Sequence, residues 1–233
     1  MILAGALANG LAIIVGGALG LIFTFIPEHI KDSIMKIQAL IIMALGIQMV
    51  VTAEDIIVTL LSLIIGVVIG ELIKLEAQLN RFGHWMEYKL GDKHAGNLSQ
   101  GFVSGTLVFI VGAMAIVGGL DAGLRGSNAV LYTKAIMDFF IAVVMTTAYG
   151  LGVIISGIPT FIYIALIIFS AQGIAMVIPD PILNDMISQV SATGGVILLA
   201  IAMNMLNITK MRVGNMIPAI FAAMIMVYVM NLF

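Results

Sequence analysis

The sequence contains no cysteine, and charged residues occupy only 9% of its 233 positions. The lack of cysteine excludes disulfides, thiolate catalysis and thiolate metal ligands. The formal net charge is -2 and no basic tail is present, so nothing in the sequence indicates nucleic-acid binding. A soluble domain needs a far more charged surface than this, so an ordinary soluble protein is also excluded.

Apolar residues fill most of the chain instead. They make up 62% of it, and the mean hydropathy is +1.20. Because about 20 helical residues cross the hydrocarbon core of a bilayer, we predict an all-α integral membrane protein with about eight transmembrane helices. The first apolar run lacks a basic region and a persuasive cleavage site, which predicts a retained span rather than a signal peptide. The predicted spans are about 2–24, 37–52, 56–75, 101–119, 129–152, 158–178, 194–208 and 214–232.

Lysine and arginine lie mainly on one side of this arrangement. If the long polar stretch at 76–100 is cytoplasmic, most cations face the cytoplasm, leaving Arg125 outside and Lys134 within the membrane. Both termini are then predicted on the outer side. The apolar spacing within 76–95 indicates an amphipathic helix at the membrane interface. The cytoplasmic cations are Lys31, Lys36, Lys74, Arg81, Lys89, Lys93, Lys210 and Arg212.

The chain also resembles itself. The segment IPEHIKDSIMKIQALIIMALGIQM, from Ile26, aligns with a few gaps to IPDPILNDMISQVSATGGVILLAIAMNM, from Ile178. The two copies are five spans apart, an odd number, so they cross the membrane in opposite directions and form inverted three-helix repeats. The predicted domains are the first repeat at 1–75, a cytoplasmic linker at 76–100, a central helix pair at 101–157 and the second repeat at 158–233.

Three further segments carry a resemblance to a known family. They are LANGLAIIVGGALG at 7–20, FVSGTLVFIVGAMAIVGGLDAGLRG at 102–126, and TGGVILLAIAMNMLNITKMRVGNMIPAI at 193–220. They are spread along the chain from residue 7 to residue 220, and the last is the most specific. The sequence resembles a bacterial inner-membrane family catalogued as domain of unknown function 554. The resemblance implies a multi-pass protein of the bacterial inner membrane and implies no established activity.

Two charged residues, Lys134 and Asp138, lie inside the fifth predicted span. Charges at the bilayer centre cost roughly 2.5–3.5 kcal/mol and usually face a protein interior or a water-filled cavity. Lys134 is near enough to the helix end to snorkel outward, whereas Asp138 is deeper. The four-residue spacing puts both on one helix face, close enough to pair. Two interpretations stay open: a permanent ion pair that fixes packing with polar atoms of spans 4 or 6, and a switch that opens when an ion or proton competes for the carboxylate.

Uncharged polar residues in the spans are further candidate ligands. Inverted repeats are a recurring plan of secondary transporters, with the substrate near the midplane. Spans 2 and 7 are short and carry Gln48 and Asn204 at about equivalent places, and span 7 opens with Thr193 and two glycines that we expect to leave backbone groups free for a ligand. Such residues also bridge packed helices, so each is ambiguous. The remaining candidates are Asn9, Ser104, Thr106, Thr146, Thr147, Gln172 and Asn207.

These observations predict a secondary transporter, independent of ATP, that moves a small ion or polar solute across the bilayer by alternating access. No acid–base set, cofactor motif or metal site is found, so we expect no enzyme activity, cofactor or metal. The 17 methionines are scattered as in adaptable packing rather than as copper ligands. Two alternatives stay open: an ion channel of the same fold, and a structural or regulatory subunit that transports nothing and docks a partner through residues 76–95.

Glycines four residues apart occur in three predicted spans. This spacing lets helices approach closely in lipid. Packing within one chain is the simpler interpretation, and a homodimer is the alternative. The three pairs are Gly16 with Gly20, Gly66 with Gly70, and Gly101 with Gly105.

Overall fold

The computed structural model describes residues 2–22, 27–51, 53, 55–90, 98–111 and 113–231. Over these residues the chain forms helices, one 3₁₀ turn at Val213–Met216 and short connections, with no strand among them. Lys93 of the predicted cytoplasmic loop lies outside the described residues. The helices are α1 (Ala4–Ile22), α2 (Glu28–Val51), α3 (Ile56–Ile73), α4 (Leu75–Leu90), α5 (Leu98–Ile110), α6 (Ala113–Arg125), α7 (Ala129–Tyr149), α8 (Leu151–Ile155), α9 (Gly157–Val177), α10 (Asp180–Met205) and α11 (Pro218–Met230).

The helical class is confirmed, whereas the predicted count of eight spans is not. In the described part of the chain, six stretches are long and apolar enough to cross a membrane. A seventh span exists if α5 and α6 count as one, although their axes differ by 59°. The apolar part of α2, Met35–Val51, is shorter than the other spans. The six stretches are Ala4–Ile22, Ile56–Ile73, Ala129–Tyr149, Leu151–Gly173, Pro181–Met205 and Val213–Met230.

Span 2 has a short apolar part, Met35–Val51, as the sequence predicts, whereas span 7 is not a separate short helix. Span 7 is the second half of α10, a continuous helix of 26 residues, and span 2 is the apolar part of the 24-residue α2. Thr193 and the two glycines after it lie inside α10, so the expectation of an opened backbone there is wrong. In an apolar environment every backbone N–H and C=O needs a partner, and a continuous helix supplies these partners even across two glycines.

The chain divides into two compact units. The first comprises Met1–Gln38, Gln78–Ile110 and Met114–Ala171, and the second comprises Ala39–Ala77, Val111–Ala113 and Gln172–Phe233. The boundaries predicted for repeats, linker and central pair stay a prediction. The three predicted glycine pairs all lie against other helices of the same chain: Gly16 and Gly20 against α7, Gly66 and Gly70 against residues 215–219, and Gly101 and Gly105 against residues 149–156.

In the first unit, α1 packs along α7 with both helices running in the same direction. Gly5 lies against Leu131 near their starts, and Gly20 lies against Val143 further along. The Asn128 side chain, just before α7, accepts a hydrogen bond from the backbone N–H of Gly5 at 2.9 Å. This bond satisfies one of the N–H groups that the first turn of a helix leaves without an intrahelical partner. The two helices therefore begin at the same level.

In the second unit, α3 runs parallel to α10 and antiparallel to α11. Asp55 caps α3 by accepting from the N–H of Ile57 at 2.7 Å, and Val58 near this end packs against Met186 of α10 and Val227 of α11. Beyond the other end of α3, the Glu76 carboxylate accepts from the N–H of Gly214, which follows α10, at 3.0 Å. These contacts show that α3 and α10 run in the same direction.

The amphipathic helix predicted in the linker is α4. Its start is held by Asn215, whose side-chain oxygen accepts from the Glu76 N–H at 2.7 Å. Partial burial raises the pKa of Glu76 above its ordinary value, and the Gly214 hydrogen bond opposes part of that rise. Further along α4, Trp85 and Tyr88 are exposed. The corner between α3 and α4 is thus fixed by hydrogen bonds.

Candidate functional site

The contact between α1 and α7 depends on a glycine-rich face of α1. A Cβ atom added at Gly16 would lie 2.5 Å from the backbone oxygen of Phe139, and one at Gly5 would lie 2.6 Å from Leu131 Cβ. Only glycine allows so close an approach of the two backbones. Asn9 lies between these glycines along α1 and is fully buried. The glycines therefore bring a polar side chain of α1 against the buried face of α7.

Lys134 and Asp138 form a buried ion pair on that face. The Lys134 Nζ lies 2.6 Å from Asp138 Oδ2, and each side chain retains only 7% of its exposure. Lys134 therefore turns inward rather than snorkelling to the membrane surface. The sequence had suggested polar partners in spans 4 or 6, but the observed partner comes from span 1: Asn9 Nδ2 donates to the same Asp138 Oδ2 at 2.8 Å. We call Asn9, Lys134 and Asp138 the buried triad.

The buried triad retains unused hydrogen-bonding capacity. The side-chain oxygen of Asn9 is buried and has no hydrogen-bond partner among the described residues. A lysine ammonium has three N–H donors, and the bond to Asp138 uses one of them. An acceptor without a partner beside a buried ion pair costs free energy unless something else binds to it. The arrangement therefore has the donors and the acceptor with which a small polar or charged ligand can form hydrogen bonds.

Other candidates of the first unit lie on the same helices or on α5. Thr146 follows Asp138 by two turns on α7, and its buried hydroxyl has no partner in the described structure. The Thr147 hydroxyl donates to the backbone oxygen of Val144 at 2.7 Å. On α5, Ser104 is half-buried, and Thr106 is buried with a hydroxyl that is likewise unpartnered within the described residues. No hydrogen bond of the described structure links either α5 residue to the buried triad.

The candidates of the second unit have different surroundings. Asn204 closes the loop after α10: its Oδ1 accepts from the Met211 N–H at 2.9 Å and from the Thr209 hydroxyl at 2.8 Å, and its Nδ2 donates to the Met211 oxygen at 2.7 Å. These bonds already occupy its carboxamide group. Gln48 and Gln172 are exposed, as is Asn207, which adopts a left-handed backbone with φ 57°. Thr193 is fully buried within α10.

One polar contact was not foreseen from the sequence. The Thr59 hydroxyl of α3 donates to Gln189 Oε1 of α10 at 3.0 Å, and both residues are buried. The available signal was periodicity: Thr59 and Ser62 are three residues apart in an otherwise apolar span, and Gln189 and Thr193 are four apart. Within the described residues, no group of three or more histidine or acidic side chains could hold a metal ion.

The chain matches the model of a family described as "Protein of unknown function (DUF554)" over residues 4–228. It belongs to this family. "Uncharacterized membrane protein YdfK" of Bacillus subtilis (strain 168) is 28% identical, over 98% of this chain and 97% of that protein. "Uncharacterized protein YqgA" of Escherichia coli (strain K12) is also 28% identical, over 94% of each chain. No solved structure matches the chain.

Family membership and the apolar helices lead to the same conclusion. The resemblance expected from the sequence is confirmed, and the protein is a helical membrane protein of a family whose function is not assigned.

Proposed function

We propose that the protein is a secondary transporter that moves a small ion or polar solute across the bacterial inner membrane by alternating access. The observation that carries this proposal is the buried triad, in which a single oxygen, Asp138 Oδ2, holds both Lys134 of its own helix and Asn9 of another. A charge pair inside a membrane is costly, and such pairs often mark ion or substrate pathways.

The shared oxygen couples charge to helix packing. When a cation or a proton binds the Asp138 carboxylate, the attraction to Lys134 weakens and the bond from Asn9 loses its charge-assisted character. Asn9 is a side-chain link within the close contact of α1 and α7, so this change favours a different packing of the two helices. The same ligand that neutralises Asp138 thereby shifts the balance between two conformations, as a carrier requires.

The second unit gives separate support for inverted repeats. In the predicted repeat, α2 and α10 are equivalent helices, and they make a reciprocal contact. A Cβ atom on Gly46 would lie 2.8 Å from the backbone oxygen of Gly195, and one on Gly195 would lie 2.7 Å from the backbone oxygen of Gly46. Inverted repeats often meet through equivalent helices, so close packing of α2 on α10 supports this arrangement, which is common in secondary transporters.

Flux measurements in proteoliposomes test the proposal. A thermal-shift screen of the purified protein against sodium and potassium salts, amino acids, polyamines and organic acids first identifies a ligand, because ligand binding raises the apparent stability of the folded state. Uptake of that ligand is then measured under an imposed gradient. We expect Asp138→Asn to abolish uptake or its dependence on pH or sodium.

A matched control comes from α6. Arg125 and Asp121 have the same four-residue spacing, but the Arg125 side chain is 82% exposed and the ion pair is 3.5 Å long. We expect Asp121→Asn to transport as the unaltered protein does. Unchanged uptake and unchanged ion dependence in Asp138→Asn, with the variant folded by circular dichroism, would refute the proposal. Currents beyond carrier turnover would show a channel instead.

A further inference from the structure

The second unit contains a group of buried neutral oxygens with no acidic or basic member. Thr59 and Ser62 belong to α3, and Gln189 and Thr193 belong to α10. All four residues are between 0% and 3% exposed. We call these four residues the hydroxyl cluster. It shares no residue with the buried triad and does not depend on the transport function proposed above.

Helix geometry places the four side chains on facing sides of α3 and α10. The two helices run parallel, and the Thr59–Gln189 bond joins them at one level. Ser62 lies three residues beyond Thr59, and Thr193 lies four residues beyond Gln189, so each is about one turn further in the same direction. Met186, one turn before Gln189, belongs to the same buried cluster as Val58 of α3 and Val227 of α11, so this side of α10 lies toward α3 and α11.

Two members of the hydroxyl cluster have no hydrogen-bond partner. The Ser62 and Thr193 hydroxyl oxygens are buried and unpartnered within the described part of the chain. A helical serine or threonine usually donates back to a carbonyl of its own helix, as Thr160 does to the Ser156 oxygen at 2.8 Å. A buried polar atom without a partner is unfavourable. Two of them at one level between two helices indicate a ligand that both contact.

The chemistry of these atoms selects the class of ligand. Each hydroxyl oxygen offers two lone pairs, and the Gln189 carbonyl oxygen has one left after accepting from Thr59. Hard cations prefer oxygen ligands. Because the hydroxyl cluster carries no negative charge, it cannot offset the desolvation of a divalent ion, whereas a single positive charge costs far less. The burial of all four residues, which are between 0% and 3% exposed, favours a small ion. We propose that the hydroxyl cluster binds a monovalent cation of the size of Na⁺.

The test is a titration of the purified full-length protein with NaCl, replacing choline chloride at constant total chloride. We expect the melting temperature to rise with saturation in NaCl and to rise less in KCl, since binding to the folded state stabilises it. An identical response to NaCl and choline chloride would overturn the proposal.

Variants locate the response within the protein. The NaCl concentration that gives half of the rise in melting temperature measures the affinity. We expect Thr193→Val and Ser62→Ala to raise this concentration roughly tenfold or more. Thr193→Ser keeps the hydroxyl, and we expect it to leave this concentration unchanged. Thr160→Val is the matched control, because that buried hydroxyl is already bonded to its own helix. A sodium response unchanged in both Thr193→Val and Ser62→Ala would refute the site. A Thr193→Val chain that does not fold leaves the decision to Ser62→Ala.

The same titration on Asp138→Asn separates this proposal from the transport function. We expect the sodium response of that variant to match the unaltered protein, because Asp138 belongs to the other compact unit. A sodium response that disappears in Asp138→Asn and persists in Thr193→Val would assign the ion to the buried triad and overturn the present proposal. Loss of flux with an intact sodium response would leave both proposals standing.

Discussion

Two ion pairs of the same chemistry occur in different surroundings in this molecule. Lys36 with Asp32 on α2 and Lys134 with Asp138 on α7 both join a lysine Nζ to an aspartate Oδ2 at 2.6 Å, across four residues of helix. The first pair is about 60% exposed at both side chains, whereas the second is 7% exposed at both. The two pairs therefore do not differ in contact geometry. They differ in burial.

Burial changes what the pair contributes to stability. Water screens the exposed pair, and holding two long side chains together costs entropy, so its net contribution is small. The buried pair has lost the hydration of both ions, and their attraction repays that cost only while both are charged and in place. Removing one partner leaves an uncompensated charge. The buried pair is thus sensitive to anything that binds the carboxylate, which is the property a switch needs.

The largest expected effect is from removing the lysine of the buried pair. Lys134→Met leaves the buried Asp138 carboxylate with Asn9 as its one remaining partner among the described residues, and we expect a loss of roughly 3–5 kcal/mol in the free energy of unfolding. Unfolding of the protein in detergent micelles by added SDS measures this loss. The double variant Lys134→Met with Asp138→Leu should recover most of this loss, because it removes both charges. If Lys134→Met were as stable as the unaltered protein, removing one partner of the buried pair would carry no cost, which would contradict this prediction.

The next effect concerns the hydrogen bond that Asn9 donates to the buried pair. Asn9→Leu removes the donor to Asp138, and hydrogen bonds to charged groups contribute about 1.5–3 kcal/mol. We expect a loss of stability in that range. Asn231→Leu is the control, since among the described residues the Asn231 side chain donates to the Val227 oxygen of the helix that it follows. Equal losses in the two variants would contradict the prediction that the bond from Asn9 to Asp138 contributes more to stability than the control bond does.

A third variant tests whether helix packing is what creates the buried surroundings. Gly16→Ala puts a Cβ atom 2.5 Å from the Phe139 oxygen, so α1 must move away from α7. We expect a loss of about 1–3 kcal/mol. Gly173→Ala adds a Cβ atom with nothing within 4 Å and should be neutral or slightly stabilising. If Asn9→Leu costs less in the Gly16→Ala background than alone, the glycine and the hydrogen bond are coupled.

The sequence could predict one half of the candidate site and not the other. Lys134 and Asp138 are four residues apart, so the periodicity of a single helix is enough to pair them. Asn9 is 129 residues away from Asp138, and its position depends on the packing of α1 against α7, for which one sequence contains no direct signal. The same limit applies to Thr59 and Gln189, which were visible only as polar residues at helical spacing.

The fold shows the same division between local and tertiary information. The apolar runs predict helices, and most of those helices are present. The ends of α2 and α10 were misplaced because polar residues were taken as helix boundaries, whereas the helices continue through them. Polar residues end a membrane span, but they do not end hydrogen bonding along the backbone, so α2 includes the amphipathic segment that precedes its apolar part.

The smallest effect is expected at the exposed pair. Asp32→Asn removes an ion pair as short as the buried one, yet we expect a loss of about 0.5 kcal/mol or less, because pairs of this spacing on helix surfaces contribute little. The loss should shrink further in high salt, since salt screens exposed charges far more than buried ones. Unfolding in low and high salt measures both effects. The reverse result, a large and salt-independent loss from Asp32→Asn, would mean that the start of α2 is covered in the membrane and that the contrast between the two pairs is not one of burial.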